Sequence, residues 1–328
     1  MKLTKIAVCL IGAILLATCQ LPQGSSAEAT YTSPVRTLPP LLSLRTATTA
    51  TSVTPEVTAT PEDVLIFAVI GDYGAGNTRG RRVAELVDSW NVGFIVTTGD
   101  NNYPDGEAET IDDNIGRFYS HYIGNYVGEH GAGSEVNRFF PSLGNHDWSP
   151  DEYDPYLDYF TLPGNERYYD FVQGPVHFFI LNSDEHEPDG VGRSSNQAAW
   201  LQAAMEASAA YWQIVIMHHP PFSSGEHGSI DWMQWPFADW GADAILAGHD
   251  HLYERLVEDG LLYITNGLGG HSAIYSFVNI LPESQMRYNE LNGAMRVQAT
   301  SQWMLFEFIN RDGEVVDSIT LDLSQANP

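Results

Sequence analysis

Five short hydrophobic runs along the chain each end in a polar group that is able to bind a metal ion. They read LIFAVIGDYG (65–74), GFIVTTGDNNY (93–103), FFPSLGNHD (139–147), QIVIMHHPP (213–221) and DAILAGHDH (243–251). Their apolar parts are short and rich in Val, Ile, Leu and Phe, which predicts buried β-strands. Ligands of α/β sheets gather at the carboxyl ends of the strands. We therefore expect the five polar tips to lie close together.

The segments between these runs predict a mixed α/β fold. Residues 78–90 carry apolar side chains at helical spacing between two strands, which indicates a βαβ unit, and residues 104–138 read as a long loop with at most short helices. The other predicted elements are strands at 176–181, 261–265 and 303–309, a helix at 197–210, and a terminal hairpin that turns at Asp312-Gly313 into 315–321. The pattern predicts one α/β domain of packed mixed β-sheets with helices outside.

The amino end has the features of an export signal. Lys2 and Lys5 precede the apolar stretch 6–17, which is too short to span a membrane. Residues 16–19, Leu-Ala-Thr-Cys, are similar to a bacterial lipoprotein cleavage box, although Thr18 stands where Gly, Ala or Ser is usual. This favours a leader at 1–19 and a lipid anchor on Cys19 that holds the protein to a membrane outside the cytoplasm. Cleavage after Ala27 is the alternative and would give a secreted or periplasmic protein.

Composition divides the rest of the chain and limits its partners. Residues 20–62 are rich in Thr, Ser and Pro, which predicts a disordered linker, followed by a domain at 63–323 and a short tail at 324–328. The net charge of −27 excludes nucleic acid as a general partner and leaves a lipid anchor as the only expected membrane contact. The two cysteines, Cys9 and Cys19, both precede the domain, so any metal in it must be bound by oxygen and nitrogen atoms.

The polar tips offer carboxylate, amide and imidazole donors. Asp72 and Asp100 each follow a glycine at a strand end, and either alone would be a turn or N-cap residue. Their combination with histidine-bearing tips favours metal binding, because a carboxylate can bridge two cations and neutral imidazole is a common ligand. The imidazole and amide candidates are His218, His249, His251 and Asn145. From the residues alone, His219 competes with His218, and Tyr103 could equally be a packed aromatic.

The ordered set GD, GDNNY, GNHD, HH and GHDH resembles the calcineurin-like metallophosphoesterase superfamily over about residues 64–322. Many members carry Asp-x-His in the first motif, whereas this chain has Asp72-Tyr73-Gly74 and a tyrosine, Tyr103, three residues after Asp100. That pairing is similar to the purple (tartrate-resistant) acid phosphatases, in which the Tyr of GDxxY is a metal ligand. The resemblance implies a single metallophosphoesterase domain with an αββα sandwich.

The resemblance also implies a site with two metal ions. Residue by residue, it assigns the first metal to Asp72, Asp100, Tyr103 and His251, and the second to Asp100, Asn145, His218 and His249, with Asp100 bridging. It assigns contacts with the phosphate and the leaving group to His146 and His227, and leaves His219 as a structural residue. A phenolate ligand favours Fe(III) at the Tyr103 site, with Fe(II), Zn(II) or Mn(II) at the second.

The implied function is an exported acid phosphatase that hydrolyses phosphate monoesters of a small substrate. The expected reaction is direct attack of metal-bound hydroxide on phosphorus, without a phosphoenzyme. One alternative is a phosphodiesterase or nucleotide-cleaving enzyme at the same site, and we expect loops 104–138 and 185–195 to decide between them by setting the pocket width. The other is a non-catalytic, metal-binding surface lipoprotein. The sequence indicates no oligomeric state.

Overall fold

Two mixed β-sheets form the framework of the chain in a computed structural model that describes residues 64–148 and 153–323. The predicted leader, linker and tail, with Cys9, Cys19 and Ala27, lie outside the described residues and stay predictions. In chain order the strands are β1 (Leu65–Ile70), β2 (Phe94–Thr97), β3 (Phe139–Phe140), β4 (Tyr169–Gln173), β5 (Val176–Ile180), β6 (Trp212–Ile216), β7 (Ala244–Ala247), β8 (Tyr253–Glu258), β9 (Leu261–Asn266), β10 (Ser284–Tyr288), β11 (Gly293–Ala299), β12 (Trp303–Asn310) and β13 (Val315–Asp322).

The first sheet has six strands in the order β13-β12-β11-β1-β2-β3. Strands β1, β2 and β3 are parallel, and β11, β12 and β13 extend the sheet in antiparallel register from the other side of β1. The predicted terminal hairpin is confirmed as β12 and β13. The parallel part places the ends of β1 and β2, and the polar residues that follow them, at one edge of the sheet.

The second sheet has seven strands in the order β10-β8-β9-β7-β6-β5-β4. Strands β5, β6, β7 and β9 are parallel, whereas β4, β8 and β10 are antiparallel to their neighbours. The central strands β6 and β7 are almost wholly buried, as expected for apolar runs without alternation. Their histidine-bearing ends therefore also meet at one edge.

Helices lie on the outer faces of the two sheets. The α-helical segments are α1 (Thr78–Ser89), α2 (Ala108–Ile111), α3 (Arg117–Tyr119), α4 (Asp154–Tyr159), α5 (Asn196–Ala207) and α6 (Phe237–Trp240). The predicted helix at 78–90 is confirmed as α1, which begins where the Asn77 side chain accepts hydrogen bonds from the backbone N–H groups of Arg79 and Gly80. The helix predicted at 197–210 is confirmed as α5, which ends at Ala207, three residues earlier.

Aromatic side chains fill the space between the sheets. Phe67 of β1 packs edge-to-face on Phe178 of β5, with ring centroids 5.0 Å apart, and Phe94 of β2 packs on the same ring at 5.5 Å. On the outer face of the second sheet, Leu201 and Met205 of α5 pack in one buried cluster with side chains of the strands. These layers confirm the predicted α/β fold of packed mixed sheets with helices outside.

The structure departs from the sequence prediction mainly in segments with polar faces. Residues 104–138 contain more helix than expected, since α2 continues through a π-helical turn (Asp112–Gly116), α3 and a 3₁₀ turn (Ser120–Tyr122). Asp112 holds this segment together by accepting hydrogen bonds from the hydroxyls of Tyr126 and Tyr159. The strands β4, β8, β10 and β11 were not predicted.

In the part of the chain that the structure describes, no helix is both long and apolar enough to span a membrane.

Candidate metal centre

The polar tips of the five predicted strands come together between the two sheets. Asp72, Asp100 and Asn145 follow strands of the first sheet, and His218, His249 and His251 follow strands of the second. The glycines in these tips make the close approach possible: a Cβ atom on Gly144 would lie 2.3 Å from Oδ1 of Asp100, and one on Gly248 would lie 2.6 Å from Oδ2 of Asp72. The expected convergence is therefore present, and it joins two facing sheets rather than neighbouring strands of one.

The first group of donors surrounds the hydroxyl of Tyr103. Its oxygen lies 2.7 Å from Oδ2 of Asp100, 3.2 Å from Nε2 of His251 and 3.4 Å from Oδ1 of Asp72. All four side chains are buried. The carboxylate of Asp72 also accepts the backbone N–H of His249, so a tip of the second sheet is fixed to a tip of the first.

The second group consists of one amide oxygen and two imidazole nitrogens. Oδ1 of Asn145 lies 3.0 Å from Nε2 of His218 and 3.1 Å from Nδ1 of His249, and these two nitrogens are 3.2 Å apart. The other ring nitrogen of His218, Nδ1, is 2.8 Å from the backbone carbonyl oxygen of Thr98. That carbonyl requires the proton on Nδ1, which leaves Nε2 with a lone pair directed at Asn145.

Asp100 joins the two groups. One carboxylate oxygen, Oδ2, faces Tyr103, and the other, Oδ1, lies 3.3 Å from Nε2 of His218. Asp72, Asp100 and His249 all have positive φ angles, of 54°, 54° and 70°. Residues other than glycine rarely adopt this backbone region, and they tend to do so at functional sites where the surroundings hold them there.

Burial controls the protonation of these groups. It raises the pKa of Asp72 well above its usual range, whereas for Asp100 the nearby His218 and His146 overcome burial and lower the pKa. Burial and the charge of Asp100 raise the pKa of Tyr103 well above its usual value, so its hydroxyl donates to Asp100. Burial and the neighbouring His218 lower the pKa of His249, and burial lowers that of His251. The lowered pKa values favour the neutral form of His249 and His251, which is the form that binds metals.

The donor sets fit two metal ions. Ligands that are about 2.1 Å from one ion lie about 3.0–3.4 Å from each other, depending on the coordination geometry. The distances within each group are close to this range. In the second group the amide oxygen of Asn145 faces Nε2 of His218 at 3.0 Å, and in the neutral Nδ1–H tautomer that nitrogen carries a lone pair, an arrangement that a cation would stabilise. The oxygen and nitrogen donors also match the expectation from a domain without cysteine.

The two histidines predicted to contact the substrate each lie against a different donor group. The ring of His146 lies 4.6 Å from that of Tyr103, and its backbone N–H donates to Oδ1 of Asp100. The exposed ring of His227 stacks on His249 at 4.2 Å. The backbone N–H of His227 donates to Oδ1 of Asp250. Asp250 is buried, and in the sequence it stands between the two histidines of the GHDH tip.

His219, which the sequence prediction left as structural, lies close to the second group. Together with His218 and His249 it offers ring nitrogens that are all within 4.8 Å of one another. Its Nδ1 is 2.9 Å from the hydroxyl of Ser183, and burial and the neighbouring His218 lower its pKa to about 3. The hydroxyl contact agrees with a structural role.

Sequence reasoning missed two residues beside the first group, His271 and Tyr275. Nδ1 of His271 is 3.0 Å from Nδ1 of His251, and burial lowers the pKa of His271 to about 4. The ring of Tyr275 stacks on that of His251 at 4.3 Å. A signal for His271 was available: like the other tips, it follows a buried strand, β9, through the glycine-rich run Gly-Leu-Gly-Gly.

Comparison with known proteins agrees with the geometry. Residues 65–253, more than half of the chain, match the calcineurin-like phosphoesterase family. The chain belongs to this family. Similar proteins include purple acid phosphatase 17 of Arabidopsis thaliana, 24% identical over 284 residues that cover 76% of this chain and 82% of the relative. Tartrate-resistant acid phosphatase type 5 of Mus musculus is 22% identical over 293 residues, covering 77% of this chain and 89% of the relative.

Solved structures share the fold. A purple acid phosphatase from yellow lupin (Lupinus luteus) seeds superposes with a TM-score of 0.65 at 17% identity, covering 81% of this chain and 55% of that one. GAP50, described as the anchor in the inner membrane complex of Plasmodium, superposes with a TM-score of 0.63 at 19% identity, covering 79% of this chain and 89% of that one. Family and relatives together make the protein a phosphate ester hydrolase, and they imply a dinuclear metal site and small phosphorylated substrates.

Proposed function

We propose that the chain is an exported phosphatase that hydrolyses phosphate monoesters at a dinuclear metal centre. In this proposal Asp72, Asp100, Tyr103 and His251 hold the first ion. Asp100, Asn145, His218 and His249 hold the second. The observation that carries the proposal is the position of Asp100, whose two carboxylate oxygens face different donor groups at 2.7 and 3.3 Å.

The bound ions would neutralise the charge of the phosphate and lower the pKa of a water molecule so that it attacks phosphorus. The chain supplies positioning and proton transfer. In this proposal His146, beside Tyr103, donates a proton to the departing oxygen, and His227, stacked on His249, hydrogen-bonds the phosphate. Asp250 fixes the backbone of His227 and so holds it at the rim.

Tyr103 favours Fe(III) as the first ion. A trivalent cation would reverse the effect of Asp100 on the phenol and remove its proton, as ligation does for other acidic donors. The second ion would be Fe(II), Zn(II) or Mn(II). The Tyr103→Phe variant should lose any visible absorption from the phenolate–iron bond, and a coloured protein whose spectrum survives this change would contradict the assignment.

The activity test compares an aryl phosphate monoester with a bis-aryl phosphate diester on metal-loaded protein. We expect faster hydrolysis of the monoester, whereas faster hydrolysis of the diester would favour the phosphodiesterase alternative. If neither ester is hydrolysed, the remaining hypothesis is that the chain is a non-catalytic, metal-binding protein.

The role of His146 has its own test. His146→Ala should lower turnover about 100-fold or more while metal content stays near the wild-type value. The control is His121→Asn, which changes an exposed histidine paired with Asp88 and should leave activity unchanged. Loss of metal in His146→Ala would instead mean that His146 is a ligand.

Export and the lipid anchor on Cys19 belong to the same proposal and rest on the amino-terminal sequence. Cys19→Ser should move the protein from the membrane fraction to the soluble fraction. A mature protein that begins after Ala27 would contradict the anchor and support secretion.

A further inference from the structure

His271 contacts two of the four donors of the first group, His251 and Tyr103, although neither the strand-tip motifs nor the ligand assignment includes it. Its Nδ1 lies 3.0 Å from Nδ1 of His251. Its ring centroid is 4.6 Å from that of Tyr103, with the ring planes 37° apart. One half-buried side chain therefore lies against both an imidazole donor and the phenol.

The backbone holds His271 in this place from two sides. The turn that follows β9 runs alongside the end of β1, where Gly269 N–H donates to the carbonyl of Gly71 at 2.8 Å and His271 N–H donates to the carbonyl of Asp72 at 2.9 Å. The carbonyl of His271 accepts a hydrogen bond from Nδ2 of Asn292. The position of the imidazole is thus fixed by the first sheet.

The hydrogen bond between the two histidines requires a specific arrangement of protons. Two ring nitrogens 3.0 Å apart need one N–H between them. His251 faces the Tyr103 hydroxyl with Nε2 at 3.2 Å. If His251 holds its proton on Nδ1 and donates it to His271, its Nε2 keeps a lone pair for a metal. The opposite arrangement would place the proton of His251 on Nε2 and block that atom.

Tyr275 restrains the same imidazole from another direction. Its ring lies 4.3 Å from the His251 ring and nearly parallel to it, at 9°, and its backbone N–H donates to the carbonyl of His251 at 3.0 Å. His251 can therefore neither turn nor tilt freely. The N–H group of a metal-binding histidine that points away from the metal normally has such a fixed acceptor, and removing that acceptor weakens metal binding about 10- to 100-fold.

We propose that His271 is a positioning residue of the metal centre. It accepts the Nδ1 proton of His251, which keeps Nε2 of His251 available for the ion at Tyr103, and its ring fixes the orientation of the phenol. This inference rests on the proposed function, because it needs a metal at the Tyr103 side.

Two substitutions separate the two contacts. In His271→Asn the side-chain oxygen takes nearly the place of Nδ1, so the acceptor for His251 is kept and the ring against Tyr103 is lost. In His271→Phe the ring is kept and the acceptor is lost. His271→Ala removes both and replaces the Phe variant if that one does not fold. His121→Asn, at an exposed histidine paired with Asp88, is the matched control.

The measurements are the affinity for iron, from release to a chelator, and the wavelength of the phenolate–iron absorption. We expect His271→Phe and His271→Ala to release the Tyr103-side ion at about 10- to 100-fold lower chelator concentration, and His271→Asn to bind within about threefold of wild type. We expect the absorption maximum to shift in His271→Asn, which leaves the phenol without its ring contact. The control should match wild type in both.

Wild-type affinity in both His271→Phe and His271→Ala would overturn the inference. If wild-type protein binds two ions and hydrolyses the monoester while these variants are unchanged, only the role of His271 is wrong. If wild-type protein binds no ion at Tyr103, the proposed function fails as well.

Discussion

Asp72 and Asp100, which are buried, and His249, which is partly buried, share an unfavourable backbone conformation. Their φ angles of 54°, 54° and 70° lie in the left-handed region, which residues other than glycine adopt uncommonly. Asp72 and Asp100 also place two carboxylates together in the interior. Unfavourable conformations and buried carboxylates of this kind persist where function requires them. We therefore expect the metal-free protein to gain stability when one of the two carboxylates is replaced by a neutral side chain.

Asp72→Asn tests this expectation. Asparagine tolerates the left-handed region and can still accept the N–H of His249, but it removes an ionisable group whose charged form burial and Asp100 make unfavourable. We expect the midpoint of thermal unfolding of the metal-free protein to rise by several degrees, because about 1 kcal/mol corresponds to about 2–4 °C in a chain of this size. The same variant should bind less metal than wild type.

Asp317→Asn should change the unfolding midpoint in the opposite direction to Asp72→Asn. Asp317 is paired with Arg255 at 2.6 Å, so removing its charge leaves a cation without its partner and should lower the unfolding midpoint. A fall of similar size in both variants would contradict the view that the charge of Asp72 is unfavourable in the metal-free fold.

Asp243 predicts a pH dependence away from the metal centre. Burial raises its pKa from 3.8 to about 7, while its Oδ2 accepts the N–H of Gln213. Between these pH values the folded protein keeps a proton that the unfolded chain releases, so the unfolding free energy falls as pH rises from about 4 to 7. Asp243→Asn should therefore be more stable than wild type at pH 8 and equal to it near pH 4. Equal stability at both pH values in denaturant titrations would refute the assignment.

The sequence predicted the donors better than it predicted their surroundings. Asp72, Asp100 and His218 could be assigned because each lies close after the end of an apolar strand, and the structure brings them together with the other predicted ligands. His271 was missed because its strand ends in Asn266 and a glycine-rich turn separates the strand from the histidine. Its role depends on hydrogen bonds between distant segments, which spacing along the chain does not encode.

At the scale of elements, tight glycine turns hold the two sheets together at the site. A Cβ atom on Gly269 would lie 2.3 Å from the backbone oxygen of Gly71, and one on Gly270 would lie 2.7 Å from Cα of Gly80 at the start of α1. These contacts are with backbone and cannot be relieved by turning a side chain. The turn after β9 therefore needs glycine to reach the end of β1.

Gly269→Ala should destabilise the protein by about 1–3 kcal/mol, the usual range for overpacking. It should also weaken metal binding, since the displaced turn carries His271. Gly192→Ala is the matched control, because no heavy atom lies within 4 Å of a Cβ at that position. Calorimetry and metal titration of the two variants check this, and equal effects of both substitutions would contradict the close-packing argument.

Elements with one polar face explain most differences between the predicted and observed fold. The strands β10 and β11 contain Arg and Gln at alternating, outward positions and lack the continuous apolar pattern of β1 or β6. Strand β11 nevertheless pairs with β1 in the first sheet. Its place depends on long-range pairing, whereas the parallel strands that end at the site were predictable from their buried, uniformly apolar sequences.

At the scale of the whole molecule, the centre depends on both sheets. The first sheet contributes Asp72, Asp100, Tyr103 and Asn145, and the second contributes the three histidines. Ions bound between the sheets would therefore stabilise the folded chain, by about 2.7 kcal/mol at a ligand concentration 100 times Kd. Removing the ions with a chelator should lower the unfolding midpoint by several degrees. No change in protein that had contained metal would contradict this arrangement.

Because the chain is strongly acidic, binding of an anionic substrate depends on positive charge from the metal ions. With a net charge of −27, the protein repels phosphate at long range, and the two donor groups themselves contain carboxylates, a phenol, an amide and imidazoles. Bound cations would supply the local positive charge that phosphate binding requires. We therefore propose that two ions, shared through Asp100, are bound between the sheets.

Elemental analysis of the purified native protein tests this claim most directly. We expect about two metal ions per chain, one of them iron and the other iron, zinc or manganese. Protein that is folded and holds no more than one ion per chain, even after exposure to these metals, would contradict the dinuclear centre.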